Sequence, residues 1–260
     1  MLNGKTALVT GSVAGLGYAM AEALAQQKAN IILHGLEPLA QAQKASERLQ
    51  SMYGVSVIHS QANLTKVSEI EALIQLAQQR FGSVDILINN AVIRNLGAID
   101  SLDTPSWDQA LAVNLSAAFH TSRLTIPLMK QNKWGRIINI SSVYGQTATT
   151  NRVAYITTKT ALIGLTRSTA IDVAKDGITC NALCPGSVPT PPILEKISIQ
   201  AKSDGITMEQ AERDYISTRH PTGRFVAMTS VASFAVFLSS EAGKDITGAI
   251  LPVDGGWTIE

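Results

Sequence analysis

Short apolar runs recur along the chain, separated by longer stretches in which apolar residues return at helical spacing. The runs Thr6–Val9, Ile31–His34, Val55–His59, Ile86–Asn89, Arg136–Ile140, Thr179–Leu183 and Ala249–Val253 are continuous rather than alternating. That pattern predicts strands buried on both faces of a parallel sheet. Between them, Leu16–Gln27, Leu39–Met52 and Ser68–Phe81 read as helices, the last two amphipathic. Trp107–Gln131 and Ala154–Ala174 are longer and more apolar, which predicts deeper burial. Strand alternating with helix predicts an α/β, Rossmann-type doubly wound fold with a roughly seven-stranded parallel sheet flanked by helices.

No repeat, low-complexity tract or linker divides the chain, so residues 1–260 are expected to form a single dinucleotide-binding catalytic domain. One segment breaks the rhythm. Ser187–Pro221, between the sixth and seventh strands, holds PTPP, a polar helical stretch and RHPTGR. It is too long for an ordinary connection and is expected to be a substrate lid.

Composition narrows the field. Hydrophobic residues make up 45% of the 260 residues, charged residues 16%, and the net charge is +1. No overall field draws the chain to nucleic acid or an anionic membrane. The opening MLNGKTALVTGS does not have the pattern of a signal peptide, and no apolar run reaches bilayer length, which suggests a soluble cytoplasmic protein. Cys180 and Cys184, four apart in the apolar stretch ITCNALCPG, are expected to be reduced, buried thiols. The four histidines (His34, His59, His120, His220) are scattered without ligand spacing, so no metal site is expected.

The first strand runs into Thr10-Gly11-Ser12-Val13-Ala14-Gly15-Leu16-Gly17 and then a helix. A glycine-rich turn there lets backbone N–H groups approach a pyrophosphate, and the helix N-terminus adds partial positive charge. The spacing is G-x-x-x-G-x-G, and its position after the first strand is where a dinucleotide is expected. The second strand ends in His34-Gly35-Leu36-Glu37, with no Arg or Lys close behind. Leu36 would bring an apolar side chain toward the place of the extra phosphate of NADP, while Glu37 stands late in the turn. This favours NAD over NADP.

Tyr155 and Lys159 stand four apart in Tyr-Ile-Thr-Thr-Lys and share a helix face. An ammonium beside a phenol stabilises the phenolate, so the pair can act as general acid and base on an alcohol or carbonyl. Ser142, just after the fifth predicted strand, could hydrogen-bond the reacting oxygen. Asn114 lies inside the long fourth helix, where Asn is a weak former. Singly these are weak signals; together, in order and behind a glycine loop, they are specific.

With these pieces in place the chain resembles the short-chain dehydrogenase/reductase family over essentially its whole length. The resemblance is carried by TGSVAGLG at 10–17, NNA at 89–91, Asn114, Ser142 with Tyr155-x-x-x-Lys159, PGSVPT at 185–190 and VDGG at 253–256. It implies that Tyr155 transfers the proton, Ser142 orients the substrate oxygen, Lys159 binds the nicotinamide ribose and tunes Tyr155, and Asn114 holds a water in a proton relay. It also implies that Asn90 and Ala91 line the adenosine ribose side, that Asn63 with Leu64 meets the adenine, and that Pro185, Gly186, Val188 and Thr190 border the nicotinamide. A homotetramer or dimer is implied, the tetramer being preferred. Two departures stand out: Val92 replaces the usual glycine after Asn-Asn-Ala, and Asn63 replaces an Asp.

Within the family the chain resembles the bacterial D-3-hydroxybutyrate dehydrogenases, which use NAD. Where those enzymes place a glutamine, a histidine and a lysine around the substrate carboxylate, this sequence has Arg94, Tyr144 and Arg152. A tryptophan becomes Ser187, and a lid glutamine aligns near Lys196. Arginine is a permanent, bidentate carboxylate partner. The changes suggest a hydroxy acid larger or more negatively charged than 3-hydroxybutyrate, unless Arg94 and Arg152 are solvated or pair with Asp100 or Glu195. Other readings are a 3-oxoacyl reductase, a polyol or sugar dehydrogenase, and a non-catalytic NAD-binding sensor.

Overall fold

The computed structural model describes residues 1–259. Seven parallel strands form one sheet: β1 (Thr6–Val9), β2 (Asn30–His34), β3 (Val57–Ser60), β4 (Ile86–Asn89), β5 (Gly135–Ile140), β6 (Ile178–Pro185) and β7 (Ile250–Val253). Their order is β3-β2-β1-β4-β5-β6-β7. All seven coincide with predicted runs. β3 begins later than the apolar pattern, because α2 (Leu39–Tyr53) ends on a left-handed Gly54 and pairing with β2 starts only at Val57. β6 extends to Pro185 because its end pairs with the edge strand β7. Pro252 is tolerated in β7, where a missing N–H can face outward.

Alternate residues feed two apolar layers. Ala7, Val9, Ile31, Leu33, Ile86 and Ile88 pack with α1 (Gly15–Gln26), α2 and, beyond the lid, α9 (Met228–Ser239). Leu8, Ile32, Leu87, Ile137 and Cys180 pack against α3 (Val67–Phe81), α5 (Ala117–Gln131) and α6 (Val153–Val173). The hydrophobic pattern does not predict α9: MTSVASFAVFLS has almost no polar face, so it carries no amphipathic signature. Cys180 and Cys184 are buried free thiols, and burial pushes the Cys180 thiol up to about 12.

The predicted long fourth helix is interrupted. α4 (Thr104–Leu111), capped by the Asp103 carboxylate accepting from Ser106 N at 2.7 Å, gives way to one π-helical turn over Ala112–Ser116 before α5 resumes. Asn114 sits in that turn. The single polar stretch expected in the lid is two helices, α7 (Pro191–Asp204) and α8 (Met208–Ser217). They share a small core of Ile197, Ala201 and Ala211, and a Thr207–Gln210 capping box starts α8. The ends of the lid are stitched together: Ser187 N donates to His220 Nε2 at 2.9 Å, and Val226 N donates to the Ser187 carbonyl.

Chain direction across the sheet reverses between β1 and β4. That reversal leaves a crevice beyond the carboxyl ends of the two strands, where doubly wound sheets bind ligands.

Candidate active site

The glycine loop crosses this crevice and is fixed by its neighbours. Asn90 Nδ2 donates to the carbonyls of Thr10 (2.9 Å) and Gly11 (2.8 Å), and Thr10 Oγ1 accepts from Asn90 N and Ala91 N. Gly11 N donates to His34 Nδ1, whose Nε2 bonds the Ala62 carbonyl at 2.8 Å. Accepting at Nδ1 requires the neutral ring, and burial lowers the His34 pKa in the same direction. Gly11 has φ +63°. A Cβ on Gly17 would lie 2.1 Å from the Gly11 carbonyl oxygen, so only glycine lets helix and loop approach this closely. α1 then starts without a side-chain cap and with no acid in its first turn, leaving its N–H groups available to an anion.

A groove of about 270 Å³ follows from this loop toward the lid. Of the sequence-predicted cofactor residues, Gly11, Leu16, Gly17, Asn90, Ala91, Tyr155, Lys159, Pro185, Gly186, Val188 and Thr190 line it. Gly15, Leu36, Asn63 and Leu64 do not. Gly15 makes the turn at φ +61°. Leu64 packs with Ile70 and Ala117, and Asn63 spends its Oδ1 on Thr65. Leu36 is 66% exposed, and the place expected for it is taken by Glu37, whose side chain folds back against Gly35 into the groove. The reason is local: Gly35 has no Cβ, and the carboxylate occupies the space one would need. Asn89, first of the Asn-Asn-Ala motif, ties β4 to β5 through a 2.8 Å bond to Asn139 Oδ1.

The groove suits an elongated dinucleotide. Two buried oxygens in its lining, Glu37 Oε2 and Thr190 Oγ1, have no hydrogen-bond partner. Such atoms are costly unless something bonds them. Glu37 stands at the end of β2, where an acid receives ribose hydroxyls. Thr190 stands near Gly186 and Val188, at the far side of the groove.

A second chamber, of about 460 Å³, adjoins the groove beside α7 and α8. Arg94, Ser142, Tyr155, Gly186 and Ile193 border both spaces. All five predicted substrate residues (Arg94, Ser142, Tyr144, Arg152, Lys196) line the chamber. Among the further lining residues that the sequence did not single out for the substrate are Tyr215, Arg219 and Trp257. Only tertiary folding brings them from α8, the stretch just after it and the C-terminal segment. The Tyr155 ring is 8% exposed and meets Tyr144 edge-on at 6.4 Å, with the guanidinium carbons of Arg94 and Arg152 each 6.0 Å from its centroid. Neither arginine forms an ion pair with a described carboxylate, Asp100 and Glu195 included.

Lys159 is buried at 2% exposure, with Nζ donating to the Ile140 carbonyl at 2.6 Å and lying 5.7 Å from the Tyr155 ring centroid. Burial first, then the nearby Arg94 charge, lowers its pKa to about 7. Asn114, also 2% exposed, accepts from Ile93 N at 2.9 Å and donates to the Ile93 carbonyl and to Thr158 Oγ1. It pins the segment carrying Arg94 to the helix carrying Tyr155 and Lys159. Asn114 lies in the π turn, where one extra residue interrupts the α-helical repeat.

Comparison with known proteins gives the family. A family model described as enoyl-(acyl carrier protein) reductase matches residues 11–258. The chain belongs to the short-chain dehydrogenase/reductase family. It is 45% identical to a D-beta-hydroxybutyrate dehydrogenase of Cupriavidus necator, over 100% of both chains. It is 40% identical to one from Rhizobium meliloti, over 98% of this chain and 99% of the relative. A crystal structure of L-sorbose reductase from Gluconobacter frateurii, complexed with NADPH and L-sorbose, superposes with a TM-score of 0.96 at 28% identity, covering 100% of this chain and 98% of that one. As a short-chain dehydrogenase/reductase, the protein is a nicotinamide-dependent oxidoreductase acting on CH–OH groups. Among the described residues no helix is long and apolar enough to cross a membrane, and no cluster of metal-ligating side chains occurs.

Proposed function

We propose that this chain is an NAD-dependent dehydrogenase of a small 3-hydroxy acid, with Tyr155 as proton-transfer group. The observation that carries the reading is the junction of the two spaces. Tyr155 and Ser142 stand where groove and chamber meet, Lys159 is buried on the groove side, and Arg94 and Arg152 flank the Tyr155 ring. The bound nicotinamide supplies a two-electron hydride acceptor for the substrate's carbinol carbon. Ser142 Oγ and Tyr155 Oη hold the substrate hydroxyl, and its proton passes to Tyr155 as the alcohol becomes a ketone. In reverse, Tyr155 returns the proton. Lys159 holds the nicotinamide ribose and supports the phenolate. Asn114 positions the site through Ile93 and Thr158 and, by the family resemblance, holds the relay water. The family resemblance implies a homotetramer, and the buried free thiols of Cys180 and Cys184 are in keeping with a reducing, cytoplasmic setting.

The arginines orient the acid. A charge-assisted hydrogen bond contributes about 1.5–3 kcal/mol, so Arg94→Ala and Arg152→Ala should each raise KM for the acid about tenfold or more. An unchanged KM for every acidic substrate in both variants overturns the clamp. The first assay pairs NAD or NADP with 3-hydroxy acids, polyols and simple secondary alcohols, read at 340 nm. Turnover of neutral alcohols alone refutes the acid substrate.

The NAD preference is supported by Glu37, whose side chain lines the groove at the end of β2, where an acidic residue favours a ribose hydroxyl over the extra phosphate of NADP. Glu37→Gln should weaken NADH binding about tenfold and narrow the gap to NADPH, read by fluorescence titration. If the unaltered protein binds NADPH as tightly as NADH, the NAD assignment is wrong.

A further inference from the structure

The chamber is larger and more cationic than a four-carbon monoacid requires. At ~30 Å³ per water, 460 Å³ corresponds to on the order of fifteen waters, whereas 3-hydroxybutyrate has seven heavy atoms. Four cations line the space (Arg94, Arg152, Lys196 and Arg219), and no described acid does. None of the four is ion-paired to a described carboxylate.

These charges are divided between two ends. A row of aromatic rings runs along the chamber: Tyr155 to Tyr144 at 6.4 Å between centroids, then Tyr144 to Trp257 at 5.4 Å. Arg94 and Arg152 stand at the Tyr155 end, Arg152 also lying 5.7 Å from Tyr144. Arg219 stands at the Trp257 end, its guanidinium carbon 5.9 Å from that ring. The Arg219 group is already oriented: it stacks on Tyr215 at 4.1 Å, and Nη1 donates to the Tyr215 carbonyl (2.6 Å) and Thr218 Oγ1 (2.9 Å). Its Nε and Nη2 have no described acceptor. A stacked, half-buried guanidinium with free N–H groups is preorganised for a second carboxylate. Lys196 on α7 adds charge from the exposed lid.

We propose that the preferred substrate is a 3-hydroxy dicarboxylic acid. One carboxylate is held by Arg94 and Arg152 beside Tyr155, and the other by Arg219, assisted by Lys196, at the Trp257 end. The inference rests on the hydroxy-acid dehydrogenase reading above. Oxidation balances as before: the carbinol hydride goes to NAD, the hydroxyl proton to Tyr155, and both carboxylates are unchanged in the 3-oxo product.

The test compares kcat/KM, with NAD at low salt, for 3-hydroxy dicarboxylates of five to eight carbons against 3-hydroxy monocarboxylates of equal carbon count, such as 3-hydroxyadipate against 3-hydroxyhexanoate. At least one dicarboxylate should exceed its matched monoacid tenfold or more. Arg219→Gln should reduce that ratio to under threefold, and Arg219→Lys should retain part of it. A role for Arg219 only in ending α8 would lower both rates together and leave the ratio untouched, which overturns the proposal. So does a ratio under threefold in the unaltered protein at every length. Turnover of monoacids alone defeats the dicarboxylate inference while sparing the dehydrogenase; silence toward all hydroxy acids, 3-hydroxybutyrate included, defeats both.

Discussion

Tyr155→Phe should give a folded protein that still binds NADH and oxidises its substrate about a thousandfold more slowly. The variant keeps the ring and loses one oxygen. Because Tyr155 is buried against Tyr144 and its backbone is set in the first turn of α6, its packing should be preserved. What disappears is the group that takes the hydroxyl proton, and positioned proton transfer contributes ~10²–10⁴-fold. Ser142 can still bond the substrate oxygen, but a serine hydroxyl is a far weaker proton acceptor than a phenolate supported by Lys159, whose Nζ lies 5.7 Å from the Tyr155 ring centroid. The measurement is single-turnover NADH formation together with NADH affinity. Activity within tenfold of the unaltered enzyme, with affinity intact, would remove Tyr155 from the chemistry.

The second large effect is expected far from the reacting atoms. Gly17→Ala should weaken NADH binding tenfold or more and lower stability by about 1–3 kcal/mol, the usual cost of forcing a methyl into a packed site. The added Cβ would stand 2.1 Å from the Gly11 carbonyl oxygen and 2.6 Å from Asn90 Nδ2. Neither neighbour can yield cheaply. The Gly11 oxygen is backbone, and Asn90 Nδ2 already donates to it and to Thr10, so movement breaks the bonds that shape the loop. Gly15, with nothing within 4 Å of its added Cβ, meets no such obstacle, only the strain of a positive φ. Denaturant unfolding and NADH titration of Gly17→Ala check the argument; unchanged values in both would mean the loop is not constrained by that contact.

The contrast between these residues shows how much was legible in the chain. Ala7, Leu8 and Val9 form one apolar run because both faces of β1 are covered, so the strand and its parallel sheet could be read from local pattern. Tyr155 and Lys159 were legible for a similar reason, since four residues along a helix is a fixed geometry. α9 was not, because a segment apolar on every side has no periodicity to read. The π turn at Asn114 was not, because one extra residue in a helix has no compositional mark. Glu37 was discounted because its role depends on how a carboxylate folds across a glycine, which is decided by the space around Gly35 and not by position in the turn.

The sequence by itself determined the doubly wound α/β fold, the glycine loop, and the order and spacing of Asn114, Ser142, Tyr155 and Lys159. Each of these is a local matter of spacing along a strand, a helix or a tight turn. Tertiary structure alone decided that Glu37 rather than Leu36 enters the groove, that Asn114 braces the loop bearing Arg94, and that Arg219 and Trp257 complete the chamber. The first is a matter of side-chain direction across Gly35, and the other two of contacts between segments remote in the chain, including the stretch after α8 and the one beyond β7. No local period encodes which remote surfaces close over the same space.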